Sequence, residues 1–283
     1  MLTIGLFNGL VYGALLLITA SGLALIYGLR RVVNFAHGAL YMLGAYIGYS
    51  IALSTNFWGA LLISPLIMGL VGVCLDKAIF SPLQDRDPLS VLLVTFGVLL
   101  IIDDLVHAVW GRGNVSVAIP GSLNMTVTLF GMPTPAYRIA VIALGAAVVL
   151  GLLGLFRYTR IGLLARAAST DPTTTAMQGV NTDRVSSLIV GLGTGLAGLA
   201  GVAASPLYSL SPSMGGDILV NSFVVVVIGG LGSLWGAFLA AILLGLINSY
   251  GIMYLPGIAA VLPFMLMVAI LLWRPAGLAG NRV

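Results

Sequence analysis

Ionisable side chains are so few in this chain that each can be weighed for the chemistry it could do. Asp103 and Asp104 stand side by side in FGVLLIIDDLVHAVWG, and His107 follows one helical turn later. A carboxylate and an imidazole four residues apart share a helix face and could pass a proton. Ionisable groups inside a membrane segment are functional candidates by default. The same residues also suit the outer end of a helix, because Asp104 precedes Gly111 by about seven residues, roughly 10 Å of helix. His37 is the other histidine, far from His107 in sequence, and there is no glutamate, so His-Glu-x-x-His is impossible. Lys77, the sole lysine, lies in CLDKAIF outside any Gly-x-x-x-x-Gly-Lys, so the chain carries no P-loop. Ser205 in AASPL lacks the Gly-x-Ser-x-Gly setting of an activated serine. These residues supply neither a catalytic set nor a zinc or iron site.

Two other stretches concentrate polar groups. In GLRRVVNFAHGALYMLG, Arg30, Arg31, Asn34 and His37 interrupt two apolar runs. Asn34 can cap a helix starting near Phe35, Asn34 and His37 share a face if the chain is helical there, and Gly38 and Gly44 permit close backbone approach. A gate or substrate contact is the alternative role. The second stretch, Arg157 to Arg184, carries four arginines and contains STDPTTTAMQGVNTDRV. Asp171 followed by Pro172 reads as an N-cap with proline at the first helical position. Thr173–Gln178 can then form a short helix, with Gly179 as its stop and Asn181–Asp183 capping the next helix. Two turns of helix are not stable alone in water and need a surface to lie on. That surface is either the chain's own bundle or a cytoplasmic partner.

The elements that hold these groups are set by composition. The chain is 60% hydrophobic and 7% charged, with a mean hydropathy of +1.13; a soluble domain carries roughly 25% charged residues. Lipid is the solvent that fits. Candidate membrane spans fall at about Ile4–Leu29, Gly38–Leu53, Trp58–Leu75, Leu89–Trp110, Ala136–Phe156, Val185–Ala204, Ile218–Ile228, Gly236–Tyr250 and Ile258–Trp273. IGGLGSLWG (Ile228–Gly236) reads as a tight turn or an unwound segment, so 218–250 is one span or two. With the N-terminus outside and nine spans, 10 of the 12 basic residues, Arg282 included, fall on the cytoplasmic side, leaving Arg112 and Arg138 outside. The C-terminus is then inside, and the first apolar run is an uncleaved helix. The outer segment 111–135 contains VSVAIP and MTVTLFG around GSLN, which predicts a small hairpin. Gly5, Gly9 and Gly13 predict close helix contact. Cys74, the only cysteine, reads as a small buried hydrophobe. The fold class is an all-α integral membrane protein, a polytopic bundle of about eight or nine transmembrane helices. Residues 1–283 form a single domain, with a cytoplasmic loop at 157–184 and an outer loop at 111–135.

Four segments in order, YGLRRVVNFAHGALYMLGAY, RYTRIGLLARAASTDPTTTAMQGVNTDRV, VVVVIGGLGSLWGAFLAAILLG and LLWRPAGLAG, make the chain resemble a known family. It is similar to the permease subunits of bacterial branched-chain amino acid ABC importers, of the type carrying Asn-Phe-Ala-His-Gly. Relatives often have Asp or Glu after that motif, where this chain has Ala39. They often have acidic residues where it has Thr173–Thr175. The resemblance implies a sister permease, two cytoplasmic ATPases that bind ATP and magnesium, and a periplasmic solute-binding protein. It implies no cofactor on this chain and no nucleic acid. The place is the bacterial inner membrane, and the cargo a branched-chain amino acid or a related urea, amide or aromatic acid. Asp171, Pro172, Thr173, Thr174, Thr175, Ala176, Met177, Gln178, Gly179 and Asn181 become the ATPase-coupling segment. Asn34, Phe35, His37, Gly38, Gly229, Gly230 and Gly232 are assigned to the permease core and path. A proton-coupled secondary transporter using Asp103, Asp104 and His107 is the competing reading.

Overall fold

Helix α3 (Phe57–Leu75) shows how the sequence selects its solvent. Leu62, Leu66 and Leu70 recur every four residues and are exposed, whereas Ala60, Ser64 and Met68 on the facing side are buried. A bare leucine row of this kind suits hydrocarbon, where it faces a medium as apolar as itself. The computed structural model describes residues 2–83, 86–129 and 132–279. Its other helices are α1 (Leu2–Arg30), α2 (His37–Ser54), α4 (Pro88–Trp110), α5 (Ala136–Tyr158), α6 (Arg160–Thr170), α7 (Pro172–Met177), α8 (Thr182–Ala204), α9 (Met214–Gly229), α10 (Leu234–Tyr254) and α11 (Leu262–Trp273). A π-helical turn, Asp76–Phe80, prolongs α3. Among the described residues, six stretches are long and apolar enough to cross a membrane: α1, α3 with its π turn, α4, α5, α8 and α10. Of the rest, α9 and α11 are shorter apolar helices.

The bundle is built around α1 and α8, which are mostly buried, while α3, α4 and α5 turn most of their surface outward. Along α1, Gly5 faces Tyr250, Gly9 faces Leu246, Gly13 faces Ala241 and Gly28 faces Gly232, so α1 and α10 run antiparallel in close contact. A methyl on Gly9 would sit 2.9 Å from Leu246 Cα, which is why the four-residue glycine spacing is needed. At one end of the bundle, Tyr137 at the start of α5 donates to Ala203 O near the end of α8 (2.7 Å). Phe57 at the start of α3 meets the Tyr137 ring edge-on at 5.7 Å. At the opposite end lie the close of α1, the close of α3 and the start of α8. The segment after α11 returns to that same end, where Leu278 N donates to Ile228 O (2.8 Å). The helices therefore alternate in direction. The 218–250 region is two helices, α9 and α10, joined by a tight turn with Gly230 at φ 101° and Gly232 at φ 81°.

Three expectations need correction. The hairpin pairs β1 (Thr126–Leu129) with β2 (Met132–Pro135), not with VSVAIP; Thr126 stands opposite Pro135. Prolines are tolerated because a two-stranded ribbon has free edges. Val115 makes only an isolated bridge to Leu210, and Gly121–Leu123 is a 3-10 turn. Cys74 is exposed, because it lies on the outward side of α3. Within 157–184 there are two short helices rather than one: α6, capped by Thr159 accepting from Gly162 N (3.1 Å), precedes α7. Phe130 and Gly131 of the hairpin motif, and Gly280 and Arg282, lie outside the described residues.

Candidate translocation path and coupling corner

α1 ends at Arg30, but α2 does not begin beside it. His37 Nε2 lies 3.0 Å from Thr19 O, and Thr19 is eleven residues up α1, about 16 Å from its end. Residues 31–36 therefore climb back along α1, and α2 starts roughly halfway through a ~30 Å hydrocarbon layer. A carbonyl only accepts, so His37 donates from Nε2, and Nδ1 keeps a lone pair. That Nδ1 and Asn34 Nδ2 are both buried and find no hydrogen-bond partner among the described residues. Asn34 does not cap α2 as a first helical neighbour would. The N-cap position is Ala36, with no side-chain cap, and Asn34 Oδ1 instead accepts from Ala36 N (3.0 Å) in a tight local turn. Asn34 and His37 thus do not share a helix face. Phe35 N donates to Thr95 Oγ1 of α4 (3.3 Å). Gly38 packs on Gly215 at the start of α9, where a Cβ would collide with Gly215 O. The motif joins α1, α2, α4 and α9 at one depth.

Two cavities open above this junction. One, of about 170 Å³, is lined by Tyr12, Thr19, Tyr41, Tyr208 and Asp217 among apolar side chains. The other, of about 440 Å³, shares Tyr12 and Tyr208 and includes Asn8 and Arg138. Arg138 Nη1 donates to Asn8 Oδ1 across from α5 to α1. None of these cavity residues stood out in the sequence, apart from Arg138 as one of two basic residues on the outer side.

The Arg30 end is tied by charge. Arg30 Nε and Nη2 donate to the two Asp76 carboxylate oxygens at 2.9 and 2.7 Å. Ser187 Oγ of α8 donates to Asp76 Oδ2 at 2.6 Å. The Arg30 and Asp76 side chains are 4% and 0% exposed, and Asp183 lies 3.8 Å from Arg30 Nη1. Paired donors on a planar carboxylate form the strong, oriented type of ion pair. Sequence reading placed Arg30 here and missed Asp76; its signal is a carboxylate in an apolar run with a basic neighbour. Arg31 takes the left-handed conformation (φ 52°), and its guanidinium donates to Ser169 O near the end of α6 (3.2 Å). The exit of α1 is therefore fastened both to α8 and to the segment leading into α7.

α7 forms as its cap residues dictate. Asp171 Oδ1 accepts from Thr174 N (3.0 Å), and the Thr174 hydroxyl donates to Oδ2. These hydrogen bonds hold the Asp171 carboxyl below the usual carboxylate range. Pro172 fills the first position, and Thr175 Oγ1 donates to Asp171 O (2.7 Å). Gly179 turns the chain at φ 81°, and Asn181 Oδ1 caps α8 by accepting from Arg184 N (2.9 Å). Thr175 is buried, while Met177 is 81% exposed. Thr173, Ala176 and Gln178 are exposed beside it.

The remaining candidates lie elsewhere. Asp103 is half-buried and Asp104 exposed, toward the end of α4 where Trp110 Nε1 donates to Ser50 Oγ (2.7 Å). Neither carboxylate makes a hydrogen bond or ion pair among the described residues. Gly229, Gly230 and Gly232 form the α9–α10 turn at the Arg30 end, with Gly229 packed on Gly236. They are not brought together with Asn34 and His37.

A bundle of apolar helices broken at mid-depth, with a capped helix projecting from one end, is the architecture of a membrane permease. A family model described as the branched-chain amino acid transport system / permease component matches residues 5–271, and the chain belongs to that family. It is 27% identical over 298 residues to the high-affinity branched-chain amino acid transport system permease protein LivH of Escherichia coli strain K12, spanning 98% of this chain and 94% of that protein. BraD of Pseudomonas aeruginosa, a permease protein of the same description, is 27% identical over 293 residues, 98% of this chain and 95% of its own. LivM of Escherichia coli strain K12, likewise a permease protein, is 26% identical over 299 residues, 93% of this chain and 67% of LivM. The chain is thus a multi-pass, non-catalytic transport component.

Proposed function

We propose that the chain is one of two permease subunits of an ATP-driven importer in the bacterial inner membrane. It carries a branched-chain amino acid or a related small solute. The single observation that carries this reading is the family match across residues 5–271. Likeness to both LivH and LivM, two permease proteins of one organism, supports pairing with a sister permease. Two cytoplasmic ATPases would bind ATP and magnesium, this chain would bind neither, and a periplasmic binding protein would deliver the solute. The Arg30 end is the cytoplasmic one, because Arg30, Arg31, Lys77, Arg86, Arg157, Arg160, Arg166, Arg184 and Arg274 gather there while Arg112 and Arg138 lie opposite. The N-terminus is then periplasmic and the C-terminus cytoplasmic.

Mechanically, α7 presents Met177 to an ATPase surface. A bare methionine on a capped two-turn helix is suited to a partner's groove. ATPase closure would push α7, and the Arg31–Ser169 and Arg30–Asp76–Ser187 contacts would pass the displacement to α1 and α8. The mid-membrane junction at Asn34–Gly38 would then shift between outward- and inward-open packings. The test is extraction from native membranes in mild detergent through a C-terminal tag, with mass spectrometry of what co-purifies. A second permease and P-loop ATPases are expected. A homo-oligomer without an ATPase would overturn the reading.

A further inference from the structure

α5 and α10 both pack on α1 but leave a gap between them at the Arg30 end. Gly145 of α5 lies against Ala14, while Gly13 and Gly28 of α1 lie against Ala241 of α10 and Gly232 of the turn before it. The gap is a cavity of about 450 Å³, floored by Ala24, Leu25 and Leu29 of α1 and walled by Phe156 of α5 and Leu234 of α10. Ala24 is six residues from Arg30, about 9 Å along the helix. The cavity therefore reaches from the membrane surface well into one half of a ~30 Å hydrocarbon layer.

Its lining is basic where it is polar. Arg157 at the end of α5 and Arg166 of α6 line it, and no carboxylate does. Both ion pairs among the described residues belong to Arg30, so neither guanidinium has a carboxylate partner among them. Arg157 lies over the Tyr158 ring, 5.7 Å from its centroid. Arg166 Nη1 donates to Phe156 O, which ties α6 to the end of α5 and uses one of five N–H groups. Trp235 also lines the cavity and is 59% exposed, and Tyr158 is 80% exposed. Exposed Trp and Tyr at the ends of membrane helices mark the headgroup layer. The side of α6 toward the coupling segment is a different one: Ala165 and Ser169 line this cavity, whereas Leu163, Ala167 and Thr170 line the groove between α6 and α7.

An apolar slot at hydrocarbon depth, beside two arginines without carboxylate partners, is complementary to an amphiphile with an anionic head. Guanidinium groups bind phosphate through paired N–H bonds, and basic pockets between helices on the cytoplasmic side suit anionic lipid head groups. A soluble phosphate would leave the apolar floor uncovered, and a zwitterionic lipid would bring a cation that the arginines repel. We propose that this pocket binds one anionic phospholipid of the inner leaflet, with Arg157 and Arg166 on its phosphodiester and an acyl chain over Leu25 and Leu29. This rests on the reading of the Arg30 end as cytoplasmic and is independent of the cargo. Ser169, whose carbonyl accepts from Arg31, lines the same pocket, so the lipid braces α6 where it is fastened to α1 and leads into α7.

The test is quenching of Trp235 fluorescence in the detergent-purified complex by dibrominated phospholipids, read as the difference between the complex and its Trp235→Phe variant. Each arginine is expected to favour an anionic lipid about fivefold. Dibromo-phosphatidylglycerol should then reach half-maximal quenching at a mole fraction roughly tenfold or more below that of dibromo-phosphatidylcholine. Arg157→Gln with Arg166→Gln should bring the two lipids within about twofold of each other, while Arg157→Lys with Arg166→Lys, which keeps both charges, should retain most of the preference. Millimolar inorganic phosphate should leave the quenching unchanged. Equal quenching by the two lipids in the unaltered complex would overturn the proposal, as would a preference that survives the double glutamine variant. Relief of quenching by inorganic phosphate would mark a soluble-anion site and overturn it as well. The lipid comparison is made on the unaltered complex, so it decides the matter even if a variant does not assemble. The readout involves neither ATP nor cargo. A phosphatidylglycerol preference in a complex without ATPases refutes the importer and leaves the lipid site standing, and ATP-driven uptake without that preference does the reverse.

Discussion

Replacing Asp76 with asparagine changes no shape and removes one charge, so its consequence can be worked from the contacts. The Arg30 guanidinium is almost fully buried and loses its bidentate acceptor, while the new side-chain amide would turn a donor toward either Arg30 or Ser187. Asp183, 3.8 Å away and 66% exposed, offers weak compensation because water screens it. Removing one partner of a buried pair costs about 3–5 kcal/mol. At roughly 2–4 °C per kcal/mol for a chain of this size, the melting midpoint of the detergent-purified complex should fall by about 6–20 °C. Fluorescence-detected size exclusion after a heating series measures that shift. The double variant Arg30→Met, Asp76→Leu, which removes both charges, should recover most of it, because apolar replacement of a buried pair is often neutral. A shift under about 2 °C for Asp76→Asn, less than the loss of even 1 kcal/mol would give, or a double variant worse than either single one, would refute the argument that this pair holds α1, α3 and α8 together.

Other perturbations follow from the same geometry. Gly38→Ala drives a methyl into Gly215 O and within 2.7 Å of Leu219 Cβ, so overpacking of about 1–3 kcal/mol should lower the melting midpoint and uptake together. Gly179→Val meets no atom within 4 Å but forces a β-branched residue to φ 81°, at a cost of about 1–2 kcal/mol. Uptake should be lost with membrane levels unchanged, and normal uptake would count against a coupling role for α7. The Asp171 carboxyl titrates below its unfolded value, so its cap is at full strength above about pH 4 and is lost as pH falls through the lower, folded value. Protection of the α7 amides relative to their intrinsic exchange rates should be constant from about pH 5 to 8 and fall only in more acidic solution. Asp171→Ala should expose α7 at every pH, while Asp171→Asn, which still caps, should protect it at neutral pH without the acid transition.

The elements were legible where local chemistry decides them. Asp171–Pro172 and Gly179 mark α7 because capping and φ are properties of adjacent residues, and the apolar runs mark the spans because lipid rewards length and composition. The glycine triplet of α1 announced a close contact, though not that α10 was its partner. Where the sequence misled, the deciding neighbour was distant. Asn34 has the side chain of a helix cap, but contacts of His37 with Thr19 and of Gly38 with Gly215 set the start of α2 three residues later and deep in the bundle. VSVAIP has strand propensity, but Met132–Pro135 takes the place beside β1 that the hairpin reading gave it, and Val115 instead makes an isolated bridge to the distant Leu210. α6 was missed because arginines among alanines and leucines read as a charged loop until its apolar side is seen against the bundle. Asp76 is a lone carboxylate in an apolar run, and only the distant Arg30 and Ser187 give it meaning.

The central claim is that transport through this chain is driven by ATP on partner subunits. Its most direct test is uptake of labelled leucine, isoleucine and valine by vesicles containing the chain with its co-purifying subunits and binding protein, energised either by ATP or by a proton gradient. The account predicts uptake that requires ATP, persists when the gradient is collapsed, and survives Asp103→Asn with Asp104→Asn. Uptake driven by the gradient without ATP, and lost in that double variant, would contradict it.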